Sequence, residues 1–129
     1  MSKTLLVVDD ATILRLQIKD AAAGAGWEIV GEACNGREAV DCYAKHRPAA
    51  VTLDLVMPEY DGLYALRNIM AIDPKAKVVI VSALGQKSVL RDAFKLGASD
   101  FIVKPFDAEA LVHTLAQFAS IGQTVSAAV

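Results

Sequence analysis

The sequence contains no apolar run long enough to cross a membrane. Its N-terminus, MSKTLLVVDD, has an apolar stretch from Leu5 to Val8 that stops at two aspartates. That is too short for the hydrophobic region of a secretory signal or for a spanning helix. The expectation is a cytoplasmic protein with no leader and no membrane insertion. There is also no arginine-rich arm or basic stripe, and the net charge is −2, so no nucleic-acid partner is expected. Cysteine is scarce. Cys34 and Cys42 have no CxxC spacing and no second pair with which to close a zinc site. Buried or half-buried free thiols are expected, which suits a reducing compartment. Linkers and repeats are missing too, and 129 residues with 54% apolar and 22% charged side chains fit one domain around one core. That domain is expected over residues 1–120, with 121–129 as a fraying tail, because the segment from Ala119 onward is small and polar with no strong face.

What is present is a regular alternation. Apolar, largely β-branched runs occur at Leu5–Val8, Ile29–Ala33, Ala50–Leu53, Val78–Val81 and Phe101–Val103. They are nearly continuous, as strands buried on both faces of a parallel sheet are. Helical patterns lie between them. Leu14, Ile18, Ala21 and Ala25 share one face of a first helix ending near Gly26. Asn35 and Glu38 have capping-box spacing, with Ala39, Val40 and Tyr43 behind them. Leu63, Leu66 and Met70 mark a third helix that stops before Pro74. Val89, Leu90, Ala93 and Phe94 mark a fourth, closed by Gly97. Asp107 can cap a fifth whose buried face is Leu111, Leu115 and Phe118. Five βα units in succession give a doubly wound α/β fold, with a five-stranded parallel sheet flanked by five helices.

Ligands of such folds bind outside the carboxyl ends of the strands. The first strand ends in Asp9-Asp10, the third in Asp54, the fourth in Ser82 and the fifth in Lys104-Pro105. The second delivers Cys34 and Asn35, which read as structural. Each residue alone has an ordinary explanation: Asp10 as a helix N-cap, Asp54 as a turn residue before Pro58, Ser82 as a cap, Lys104 as a solvated charge. Together those explanations require one edge to have gathered them by accident. Two unit charges 4 Å apart repel by roughly 4 kcal/mol at an effective dielectric of 20, and one lysine does not cancel three carboxylates. Either a carboxylate protonates or a divalent cation binds. Oxygen-only donors at an open site favour magnesium or manganese, and magnesium takes phosphate oxygens as further ligands. A carboxylate can attack phosphorus to give an acyl phosphate. Asp54, on the middle strand of the group, is placed as nucleophile, with Asp9 and Asp10 on the metal directly or through water. Lys104 and the Ser82 hydroxyl are placed to meet the phosphoryl oxygens.

The motifs LLVVDD (Leu5–Asp10), TLDLVMPEYDG (Thr52–Gly62), VIVSA (Val79–Ala83) and DFIVKPF (Asp100–Phe106) resemble the receiver domains of two-component response regulators. The resemblance runs from Lys3 to about Phe118 and is strongest to the stand-alone chemotaxis branch. It implies a strand order of 2-1-3-4-5. It implies that Asp54 accepts a phosphoryl group from a sensor histidine kinase, of chemotaxis type. It implies that Mg2+ sits on Asp10, Asp54 and the Val56 backbone carbonyl, with Asp9 acting through water. Ser82 and Lys104 contact the phosphoryl group, the Lys104-Pro105 bond is cis, and Phe101 is the switch aromatic paired with Ser82. The downstream partner, such as a flagellar switch component, is expected on the face made by helix four, strand five and helix five. Beyond accepting phosphate and slowly losing it, no enzyme activity is expected. Val56 and Leu84, apolar and two residues beyond Asp54 and Ser82, are expected to shield the acyl phosphate from water.

Other readings use the same residues. The chain could pass phosphate on as a relay intermediate, act as a phosphate sink, or be the receiver part of a longer regulator. A haloacid-dehalogenase-like phosphatase needs an Asp-x-Asp pair after its first strand, which Asp9-Asp10-Ala11 does not supply. A flavodoxin needs a hydroxyl- and glycine-rich loop there, and this loop is acidic.

Overall fold

Branched apolar residues cannot be left in water at this density, and in the computed structural model they pair into one buried sheet. The structure describes residues 3–83 and 87–119; the expected tail over 121–129, Leu84 and most of the Ala83–Lys87 loop lie outside them. Strands β1 (Thr4–Val8), β2 (Glu28–Ala33), β3 (Ala50–Leu53), β4 (Val78–Ala83) and β5 (Asp100–Lys104) are all parallel and ordered β2-β1-β3-β4-β5. Helices α1 (Thr12–Gly24), α2 (Gly36–His46), α3 (Gly62–Ile72), α4 (Lys87–Leu96) and α5 (Ala108–Ala116) follow each strand in turn. Among the described residues no helix is long and apolar enough to cross a membrane.

The period-two geometry of a strand splits the core in two. Leu6 and Val8 face α2, α3 and α4, packing with Tyr43, Leu66, Ile69 and Ala93. Leu5 and Val7 face α1 and α5, packing with Ile18, Ala22, Leu111, Leu115 and Trp27. Each fully buried aliphatic side chain stabilises the fold by about 1.5–3 kcal/mol. The expectation of strands buried on both faces holds for β1, β3 and most of β4, and fails for β2 and β5. Those two are the sheet's edges, so Glu28, Glu32 and Phe101 face solvent. Phe94 also departs from its expected place on the buried face of α4. It is exposed and lies edge-on to Phe101, ring centroids 6.0 Å apart.

The helix signals map to specific bonds. Asn35, Asp61 and Asp107 accept the Glu38, Tyr64 and Ala110 N–H groups, and Gly97 closes α4 in the left-handed region at φ 114°. The reciprocal half of the capping box lands one residue early: Glu38 accepts the Cys34 N–H at 3.0 Å and its thiol at 3.2 Å. This holds Cys34 on the exposed turn, where a buried or half-buried thiol was expected, whereas Cys42 is half-buried as expected.

At the amino edge of the sheet, side chains close the remaining backbone groups. Thr4 Oγ1 accepts the Ala49 N–H at 2.9 Å and Ser99 Oγ accepts the Val78 N–H at 3.1 Å. The Tyr43 hydroxyl donates to Asp73 Oδ2 at 3.0 Å, and Asp73 Oδ1 accepts the Lys75 N–H at the same distance. Lys3 Nζ donates to the Ala25 carbonyl at the end of α1 at 2.6 Å and lies over the Trp27 ring.

Candidate functional site

The parallel order puts the ends of β1, β3, β4 and β5 on one edge, and the singled-out residues meet there. Asp9 is fully buried. Its Oδ1 accepts the Ala11 N–H at 2.9 Å and its Oδ2 accepts from Lys104 Nζ at 2.9 Å. Asp54 is also buried, with Oδ1 accepting the Val56 N–H at 3.2 Å and Oδ2 3.5 Å from Lys104 Nζ. Asp10 is exposed at the mouth. An oxygen from each of Asp9, Asp10 and Asp54 lies within 4.8 Å of the others. Lys104 therefore reaches from β5 past the ends of β4 and β3 to two of the three acids. Burial pushes the Asp54 carboxyl up to about 6; Lys104 opposes the shift, and Asp9 and Asp10 add to it.

Asp10 does not cap α1. The N-cap position belongs to Ala11, which has no side-chain oxygen, and Asp9 takes the Ala11 N–H instead. Both carboxylates of the pair thus stay at the site. Ser82 falls inside β4, one residue short of its end, and its buried hydroxyl has no hydrogen-bond partner among the described residues. Leaving a buried hydroxyl unmade costs about 1–3 kcal/mol. Ser82 pairs with Val103 and Ile80 with Phe101, so Ser82 and Phe101 are diagonal neighbours on one face of the sheet. The Lys104-Pro105 peptide is cis, as expected. Val56 is 55% exposed beside Asp54. The start of α3 is packed directly on the Asp54 backbone. Any Cβ at Gly62 would run into the Asp54 carbonyl and the Leu55 Cα, so only glycine fits.

The donor set suits a hard divalent cation. It is oxygen-only, open on the Asp10 side, short of positive charge, and bordered by a hydroxyl that has no partner among the described residues. Two residues beside it carried no sequence signal. Thr52, buried in β3, leaves its hydroxyl unpartnered among the described residues. Arg15 donates Nη1 to the Asp9 carbonyl at 2.6 Å. An arginine one turn into a helix stands out only once α1 is known to pack beside β2.

The sequence pattern of the response regulator receiver domain matches residues 5–116. The chain is 49% identical to the chemotaxis protein CheY of Thermotoga maritima over 115 residues, 89% of this chain and 96% of that one. It is 52% identical to CheY of Listeria monocytogenes over 111 residues, 86% and 93% of the two chains. Among solved structures it resembles a chain of the CheX-CheY-BeF3-Mg complex from Borrelia burgdorferi. There the TM-score is 0.84 at 36% identity, covering 88% of this chain and 87% of the other. With five parallel strands in the order 2-1-3-4-5 and a matching sequence pattern along almost all of the described fold, the chain belongs to the response regulator receiver family, the phosphoacceptor signalling switches of two-component systems.

Proposed function

We propose that Asp54 is the phosphoacceptor, and that Asp10, Asp54 and the Val56 carbonyl hold Mg2+ with Asp9 acting through water. The observation that carries this reading is the convergence of three carboxylates, Lys104 and a buried hydroxyl without a partner among the described residues on one strand edge. When bound, magnesium offsets the charge of the acids and of the incoming phosphoryl oxygens. The Asp54 carboxylate attacks the phosphorus of a phosphohistidine; the P–O bond forms, the P–N bond breaks, and the imidazole leaves on the donor kinase. Lys104, which spans Asp9 and Asp54, turns to a phosphoryl oxygen, and Ser82 supplies its free hydroxyl to another. Moving Ser82 frees space on the face it shares with Phe101, whose exposed ring turns inward. The population of the α4-β5-α5 surface shifts by as much as the new contacts favour it. The kinase is of chemotaxis type and the receiving protein is of the flagellar-switch kind, in keeping with the names of the relatives; the setting is the cytoplasm.

Incubation with acetyl phosphate and magnesium should add one base-labile phosphoryl group to the wild type and none to Asp54→Asn, read by intact mass. Equal labelling of both would overturn the assignment. Amide shifts on α4 and α5 under beryllofluoride should be lost in Ser82→Ala; a full response there would remove Ser82 as the coupling element.

A further inference from the structure

Arg15 is held by three oxygens from three parts of the chain. Nη1 donates to the Asp9 carbonyl at 2.6 Å, Nε to Glu32 Oε1 at 3.1 Å and Nη2 to Thr12 Oγ1 at 3.3 Å. Glu32 is itself held by Lys19, whose Nζ meets Oε2 at 2.8 Å. The Arg15 side chain is only 16% exposed. A planar guanidinium committed in this way is a bracket between the edge strand β2, the first turn of α1 and the first backbone carbonyl beyond β1.

The turn it holds is the one that presents Asp9 and Asp10; the Asp9 N–H is tied to the Ala33 carbonyl at 3.1 Å, and Arg15 takes the Asp9 carbonyl on the other side of the same residue. Helix α1 has no side-chain cap, and the Asp9 carboxylate does double duty, accepting from both Ala11 N–H and Lys104. We propose that Arg15 is a positioning residue for the metal: it clamps the β1–α1 turn so that the Asp9 and Asp10 oxygens stay within 4.8 Å of Asp54, and Glu32 keeps the guanidinium turned away from those same acids. This rests on the reading that the acid cluster holds Mg2+.

Charge and clamping act with opposite signs, so they can be separated. A cation near the cluster opposes the binding of a second cation. If Arg15 acted through charge alone, Arg15→Ala would tighten magnesium binding and Arg15→Lys would leave it unchanged. As a clamp, Arg15 gives the reverse in both: lysine keeps the charge but cannot bridge the Asp9 carbonyl, Thr12 and Glu32 at once. Outer partners of metal ligands are typically worth 10–100-fold in affinity, and roughly tenfold is expected here. Glu32→Gln, which loosens the guanidinium beside the acids, should weaken binding as well.

The measurement is a magnesium titration followed by the amide shifts of Asp10, Ala11 and Leu55, for wild type, Arg15→Lys, Arg15→Ala and Glu32→Gln, with metal-free melts alongside. Arg15→Lys and Arg15→Ala should both weaken magnesium while metal-free melting stays close to wild type. The maximal rate of labelling by acetyl phosphate should return at saturating magnesium, with only the half-saturating concentration raised. Wild-type affinity in Arg15→Lys, or tighter binding in Arg15→Ala, would overturn the clamp and leave the metal site standing. No magnesium shifts in the wild type would remove the metal site, and the clamp with it.

Discussion

The two edges of the sheet are built from the same strands and finished in opposite ways. At the amino edge, Thr4, Ser99, Asp73 and Lys3 each meet a backbone group that a strand or helix end had left open. At the carboxyl edge, Ser82 has no partner among the described residues, Asp54 is driven up to about 6, and Asp10 lies outside the reach of Lys104 that serves Asp9 and Asp54. Buried polar groups are normally satisfied because leaving them bare is costly. The contrast therefore separates stability from function along one axis: one edge is closed by the chain itself, and the other is left short of charge and hydrogen bonds that a metal and a phosphoryl group can supply.

The strongest way to break this contrast is Asp54→Asn. It should abolish labelling yet raise unfolding stability at neutral pH by about 1–3 kcal/mol, because the wild-type carboxylate must be ionised in a site that raises its pKa. Urea unfolding without metal checks this, and a less stable variant would mean that the site is not strained. The same shift sets a pH dependence. Asp54 holds its proton more tightly folded than unfolded, so its stabilising contribution is full below its ordinary pKa of 3.8 and is lost as pH rises through about 6. The stability gap between Asp54→Asn and wild type should thus widen from pH 4 to pH 7. Magnesium runs the other way: below about pH 6 the proton competes, and affinity should fall by up to tenfold per pH unit, read as the loss of magnesium-induced amide shifts.

At the amino edge, Tyr43→Phe removes only the bond to Asp73, whose other oxygen keeps the Lys75 N–H. A loss of about 1 kcal/mol in urea unfolding is expected, with labelling unchanged; a change in labelling rate would show that the edges are coupled. The smallest effect belongs to Val56→Asn. Its exposed side chain stands beside Asp54, and a polar replacement can orient an attacking water, so the phosphorylated form should decay faster with stability unaltered. Decay at or below the wild-type rate would assign the shielding to another residue.

The fold was legible because branched apolar runs and helix caps are local signals, and Asn35, Asp107 and Gly97 act where their chemistry says they should. The site was legible because parallel strands bring their ends together, so Asp9, Asp54, Ser82 and Lys104 could be grouped without knowing any distance. What failed depends on which strand lies outermost. The exposure of Glu32 and Phe101 follows from β2 and β5 being edges, and Phe94 turns outward where it can meet Phe101. Cys34 was misplaced because Glu38 bonds it one residue before the cap. Arg15 was invisible because its charged partner Glu32 lies 17 positions away on β2 and its bond to Asp9 goes to a backbone carbonyl.

The bond between Asp9 and Lys104 joins residues 95 positions apart. During synthesis all three acids leave the ribosome long before the strand that carries their counter-charge. A partial chain that pairs β1 with β3 gathers Asp9, Asp10 and Asp54 without Lys104, and in a site still open to water each close pair repels by about 1 kcal/mol. Closing the sheet early is thereby penalised until the last strand brings Lys104, and long-range pairing of this kind is slow in any case. The charge imbalance that suits the site to a metal is therefore also one that only the finished sheet relieves, since Lys104 on the last strand is the cation set against Asp9 and Asp54.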